Sequence, residues 1–197
     1  MKKVGLTGGI GSGKTTTSLI FNQLEVPIYN ADFRAKVLMT ENLSLKDSIR
    51  ALFGPKSFDG IQLNRQYIAS KVFSEQSLLL QLNELVHPIV QVDFEEWCSL
   101  QDAIYVIKEA AIIFESRSFE SLDSTILVQA PEELKIKRVM ARDAISKLSV
   151  KARMKMQWSD EKKRSYADFI IMNDEKESLL AQVIKIHEFL IKDIQSQ

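Results

Sequence analysis

Residues Gly8 to Thr15 read Gly-Gly-Ile-Gly-Ser-Gly-Lys-Thr, which satisfies the pattern G-x-x-x-x-G-K-[ST]. This pattern constrains the fold narrowly, because it has meaning only between a strand and a helix. Val4, Gly5 and Leu6 form a short apolar run that suits a buried strand, and Thr15 to Leu24 suits a helix. The glycines let the backbone curl so that successive N–H groups point inward at phosphate oxygens. The start of the following helix adds the positive end of its dipole. Lys14 is placed to reach β- and γ-phosphates, and the Thr15 hydroxyl to ligate Mg²⁺. A nucleoside triphosphate site follows from this context.

A chain of 197 residues, 45% of them apolar, suits one core with inserted segments. Basic and acidic residues balance at 26 each, so no global field draws the molecule to nucleic acid or to a membrane. Locally the balance fails: Lys135 to Arg164 carries eleven Lys or Arg against Asp143, Asp160 and Glu161. Cys98 is the sole cysteine, which rules out an intrachain disulfide and a cysteine-built zinc site. The early first strand leaves no room for a signal peptide, and no apolar run reaches membrane-spanning length. A cytoplasmic protein is expected.

Strand-like runs recur at Val4–Leu6, Val26–Tyr29, Ile104–Ile107, Thr125–Val128 and Phe169–Met172, with helical patterns between most of them. This alternation predicts an α/β fold with a five-stranded parallel sheet flanked by helices. The last helix carries Leu180, Val183, Ile184, His187, Leu190, Ile191 and Ile194 at helical spacing, with His187 expected as a packed residue. Between Asp32 and about Asp102 no strand is expected. Leu43–Phe53, Arg65–Phe73 and Ser77–Leu100 are helix candidates there, with Asn64 able to cap the second and Gly54-Pro55 and Gly60 marking turns. The expected division is therefore a nucleotide-binding core of residues 1–31, 103–144 and 167–197, a helical acceptor-binding insertion at 32–102, and a helical lid at 145–166.

Three classes of protein share such a loop. A regulatory GTPase would carry Asn-Lys-x-Asp and a transporter-type ATPase Ser-Gly-Gly-Gln; neither is present. A small-molecule kinase needs neither, and its acceptor segment and cationic lid match this layout. Asp32 ends the second strand-like run and can accept or orient the proton of an attacking hydroxyl. The same position also suits a helix cap or a turn residue. Arg138 and Arg142, four apart on one helix face, can meet the charge of a transferring phosphoryl group, or form a solvated face. Trp158 is the only aromatic residue of the basic stretch, which gives no stacking series for nucleic acid.

Together these residues resemble the dephospho-coenzyme A kinase family. The resemblance rests on Gly5–Lys14, Ala31-Asp32, Leu63-Asn64-Arg65 with Val72-Phe73, His87-Pro88 and Ile112-Ile113-Phe114-Glu115. Arg138–Asp143, Arg153, Gln157 and Ala167–Asn173 complete it, so that it runs in order from Val4 to about Asn173. It implies ATP and Mg²⁺ as cofactors, dephospho-coenzyme A as the acceptor, and no nucleic-acid or membrane partner; a monomer is expected. It implies catalytic roles for Asp32, Lys14 and Arg142. Gly9, Ile10, Gly11, Ser12, Gly13, Lys14, Thr15, Thr16, Arg138 and Asn173 would hold the nucleotide, with Thr15 on the metal. Thr7, Asp32, Arg65 and His87 would hold the acceptor, although Pro88 also suggests a helix-breaking structural role beside His87. Glu115 can be a supporting partner or a helix cap. Asn30 replaces the first carboxylate of the family's Asp-Ala-Asp, and Ala111 stands where proline is usual. The lid, Ser146–Tyr166, is expected to move so as to keep water from the γ-phosphate. Two alternatives remain: a kinase with a nucleoside monophosphate or shikimate-like acceptor, and a nucleotide-dependent switch without phosphotransfer.

Overall fold

The computed structural model describes residues 1–195 as two compact units, one of Met1–Asn30 with the chain from Gln101 on, the other of Ala31–Leu100. In the first unit, β1 (Lys2–Gly8), β2 (Ile28–Asn30), β5 (Tyr105–Glu109), β6 (Ser124–Gln129) and β7 (Phe169–Met172) form one parallel sheet in the order β2-β5-β1-β6-β7. The helices of this unit are α1 (Lys14–Gln23), α6 (Glu132–Asp143), α7 (Lys147–Lys155), α8 (Asp160–Arg164) and α9 (Leu179–Gln195).

The strands read as continuous apolar runs because both sheet faces are covered. Val4, Leu6, Ile107, Ile126 and Val128 are fully buried, and Phe21 of α1 and Val183 and Leu190 of α9 join their cluster. On α9, Leu180 and Ile184 turn out exposed, at 51% and 36%, because the helix turns the stripe through Val183, Ile186 and Leu190 to the core cluster instead. The second strand begins at Ile28 rather than Val26, since Pro27 has no N–H for the ladder. Pro27 still offers its carbonyl to Ile107 N–H at 2.9 Å. From β1 the chain moves to one side for β2 and β5 and to the other for β6 and β7. The carboxyl end of β1 is therefore the switch point at which ligands bind in open α/β sheets.

The second unit holds α2 (Ala31–Glu41), α3 (Leu43–Phe53), β3 (Phe58–Asp59), β4 (Gln62–Leu63), α4 (Arg65–Ser74) and α5 (Gln76–Ser99). Asn42 and Asn64 cap α3 and α4, their side chains accepting from Leu45 N–H at 2.9 Å and Tyr67 N–H at 3.0 Å. Val86, Val90, Phe94 and Cys98 line one buried stripe of α5. That stripe carries the helix through Pro88, which lies inside it rather than breaking it as expected. Two further features depart from the sequence reading. A short antiparallel hairpin, β3–β4, turns on Gly60 in a left-handed conformation, where no strand was expected. Ala31–Glu41 is helical although only Ala31 of it is buried; Arg34 ties it to α5 by a two-pronged pair with Asp93 at 2.9 and 2.5 Å. Among the described residues no helix is long and apolar enough to cross a membrane.

Candidate active site

The turn between β1 and α1 carries the phosphate-loop motif. Ser12 N–H donates to Gly9 C=O at 3.1 Å and closes the turn, while Lys14 Nζ donates to Gly8 C=O at 2.9 Å across its mouth. Gly13 sits at φ 102° just before α1, and a Cβ there would lie 2.0 Å from Asn173 Nδ2. Conformation and close approach both require glycine here. Asn173 in turn donates to Ser12 C=O at 2.8 Å. Arg138 donates twice to Asn173 C=O at 3.2 Å and to Glu175 at 3.0 Å. The structure thus joins three separated parts of the sequence, loop, Asn173 and Arg138, in one network at the end of β1.

Thr15 and Thr16 lie exposed in the first turn of α1, where helix N–H groups lack internal partners. Thr15 Oγ1 donates to Glu109 Oε1 at 3.2 Å. Glu109 ends β5, is buried, and also accepts from Ser18 Oγ at 2.9 Å and Asn30 Nδ2 at 3.3 Å. A hydroxyl and a carboxylate side by side are hard oxygen donors of the kind Mg²⁺ takes alongside phosphate oxygens and water. The residues present fit that ion. Glu109 escaped the sequence reading, although an acid closing the apolar run of Tyr105–Ile107 at a strand's carboxyl end was its signal. Among the described residues no group of three or more His, Cys, Asp or Glu side chains could hold a metal ion.

Arg142 does not reach toward the loop. Its Nε donates to Asp143 at 2.7 Å, Arg153 meets the same carboxylate at 2.7 Å, and the guanidinium is mostly exposed. These two arginines hold the Asp143 carboxyl below its usual range, with the Arg142 hydrogen bond as the largest cause. Thr7 is a correction: it is fully buried within β1 and its Oγ1 has no hydrogen-bond partner among the described residues, so it is enclosed in the sheet and not presented to an acceptor. Asp32, Arg65 and His87 all fall in the second unit. Asp32 is exposed in the first turn of α2, two residues past the end of β2; Arg65 is the exposed first residue of α4; half-buried His87 lies within α5.

The basic stretch forms α6, α7 and α8. A cavity of about 480 Å³ opens between it and the loop, lined by Gly9, Ile10, Lys135, Lys151, Gln157 and Trp158 among others. Residues 157–163 are tied closely to the sheet unit. Glu115 Oε1 accepts from Trp158 N–H at 2.9 Å and pairs with the fully buried Lys163 Nζ at 3.0 Å. Lys163 also donates to Ala111 C=O at 3.3 Å, at the position where the family usually has proline. Glu115 is therefore a supporting partner and not a helix cap.

A family model described as dephospho-CoA kinase matches residues 2–178, which covers the loop, Glu109, Arg138 and Asn173. The chain belongs to the dephospho-CoA kinase family. A dephospho-CoA kinase of Bacteroides fragilis is 34% identical over 193 residues, covering 98% of this chain and 94% of that protein. The solved dephospho-CoA kinase of Campylobacter jejuni shares 29% identity at a TM-score of 0.70, covering 97% of this chain and 98% of that one. The shikimate kinase of Bacteroides thetaiotaomicron, at 15% identity and a TM-score of 0.52 over 96% of this chain and 98% of that one, shares the fold alone. Membership in the dephospho-CoA kinase family makes the protein a kinase, and sets aside the phosphotransfer-free switch.

Proposed function

We propose that this dephospho-CoA kinase transfers the γ-phosphoryl group of ATP to the ribose 3′-hydroxyl of dephospho-CoA, giving coenzyme A. The observation that carries the reading is the phosphate loop, with Lys14 across its mouth and the Asn173–Arg138 network behind it, in a chain that matches the family from end to end of its catalytic core. Lys14 and the first amides of α1 hold the β- and γ-phosphates, and Arg138 with Asn173 fixes the nucleotide side of the loop. Thr15, with Glu109 beside it, would hold Mg²⁺, which supplies charge neutralisation at the phosphates when bound.

Asp32 orients the attacking hydroxyl and receives its proton. In a loose transition state aim contributes more than proton removal, so an exposed carboxylate on a helix start is chemically sufficient. Arg65 and His87, on the helical segment of residues 32–102, contact the acceptor. Arg142 leaves Asp143 when nucleotide arrives and meets the transferring group as the lid closes. The balance of 26 basic and 26 acidic residues supports a reading without nucleic-acid or membrane partners, and a monomer in the cytoplasm completes the proposal.

Replacing Asp32 by Asn separates chemistry from binding. Turnover is expected to fall on the order of 10²- to 10⁴-fold while the ATP dissociation constant stays within about threefold. Turnover that survives the exchange removes Asp32 from the mechanism.

A further inference from the structure

We infer that Gln157 is a positioning residue of the phosphate loop, the side chain that fixes the Gly9–Ile10 peptide in the orientation that receives nucleotide; the inference rests on the reading of this loop as the ATP site. Both ends of that peptide are held. Its carbonyl, on Gly9, accepts from Ser12 N–H at 3.1 Å within the loop. Its N–H, on Ile10, points away from the turn and donates to Gln157 Oε1 at 2.9 Å, 147 residues further along the chain. Turning the peptide over would break both bonds at once.

The place from which Gln157 acts is rigidly built. Its own N–H donates to Met154 C=O at 3.1 Å, and the next residue, Trp158, is anchored through its N–H to Glu115. A Cβ on Gly9 would lie 3.2 Å from Asp160 Oδ1, 3.6 Å from Lys135 Nζ and 3.9 Å from Gln157 Oε1, so the loop packs directly on this wall. Lys135 and Asp160 neutralise one another at 2.5 Å, and Gln129 Nε2 holds the Asp160 carbonyl at 3.0 Å. The wall therefore adds no net charge at the loop. What it supplies is a single neutral acceptor, aimed at one loop amide, from a segment that lines the same cavity as the loop. A group that fixes the loop and belongs to the lid's inner end couples the two: whatever stabilises one arrangement stabilises the other by the same factor.

Hydrogen exchange tests this directly. In the wild-type protein without nucleotide, the Ile10 amide is expected to exchange at least roughly tenfold more slowly than an open loop amide. Rapid exchange overturns the inference without any variant. Gln157→Met keeps the length and removes the acceptor; it should lose the Ile10 protection and bind ADP, titrated calorimetrically without acceptor, roughly tenfold more weakly. Gln157→Glu retains an acceptor and should retain the protection. A purely structural role would instead release the strand amides of β1 and β6 together with Ile10. That outcome overturns the proposal, as does Gln157→Met with unchanged ADP affinity. The assay for coenzyme A formation is separate: a wild-type protein that binds ADP and forms none leaves Gln157's role standing and removes the proposed acceptor reaction.

Discussion

Lys163 buries its whole side chain and, among the described residues, meets its charge through Glu115 and the Ala111 carbonyl. A buried ammonium without a counter-charge is costly, so Glu115→Gln should destabilise the protein by about 3–5 kcal/mol, read from denaturant midpoints. Adding Lys163→Met to the Glu115→Gln variant should recover much of the loss; a double variant as unstable as the single one would contradict the account. His187, on α9, receives a 2.6 Å hydrogen bond at Nδ1 from Tyr105 Oη if the imidazole is neutral. Burial lowers its pKa, outweighing the nearby Glu188, and burial also raises that of Tyr105. The unfolded chain therefore takes up the proton first. This part of the stability is complete above about pH 6.5 and declines as the pH falls toward the lower folded-state value. Melting temperatures between about pH 5 and 8 should show this slope, and His187→Phe should flatten it. Residues of the loop were legible in the sequence because their spacing is itself the chemistry. Glu109 was not, and Gln157 stood out only through family resemblance with no role attached, because what matters about them is a partner 94 or 147 residues away.

At the scale of elements, the parallel strands were readable as apolar runs, and α4 through its asparagine cap; the Asn42 cap of α3 emerged only in the structure. Ala31–Glu41 was not readable, since it buries one residue and is held by an ion pair to α5, leaving no stripe for periodicity to find. The two-residue strands of the hairpin are too short to show alternation. Between α6 and β7 the structure divides what sequence treats as one lid. Residues 157–163 are pinned through Glu115, Lys135, Gln129 and Ile10, whereas α7 is held by the packing of Val150 on Ile136 and Val139 and by the solvent-facing pairs Arg153–Asp143 and Lys151–Glu132, which contribute little. Ala144, at φ 51°, marks the joint before α7. Hydrogen exchange without nucleotide should therefore be faster in Lys147–Lys155 than in Asp160–Arg164, and adding a non-hydrolysable ATP analogue should slow the first far more. Equal exchange in both segments would mean that the lid moves as one body.

For the molecule as a whole, a charge balance of zero leaves recognition to local sites, and the phosphate loop, Asn173 and Arg138 all lie in the sheet unit. The segment expected to hold the acceptor forms a compact unit of its own, with Asp32 at its start. The fold class was legible because alternating strands and helices admit few arrangements. Acceptor identity was legible only through family resemblance, since no physical rule connects Arg65 or His87 to one alcohol. The most direct measurement is therefore made on the product. Purified protein with ATP and Mg²⁺ is offered dephospho-CoA, AMP and shikimate in separate reactions, and each product is weighed by mass spectrometry. The account predicts a gain of one phosphoryl group on dephospho-CoA, located on the ribose 3′-oxygen, and none on the other two. No gain on dephospho-CoA, or a gain on AMP or shikimate in its place, would contradict it.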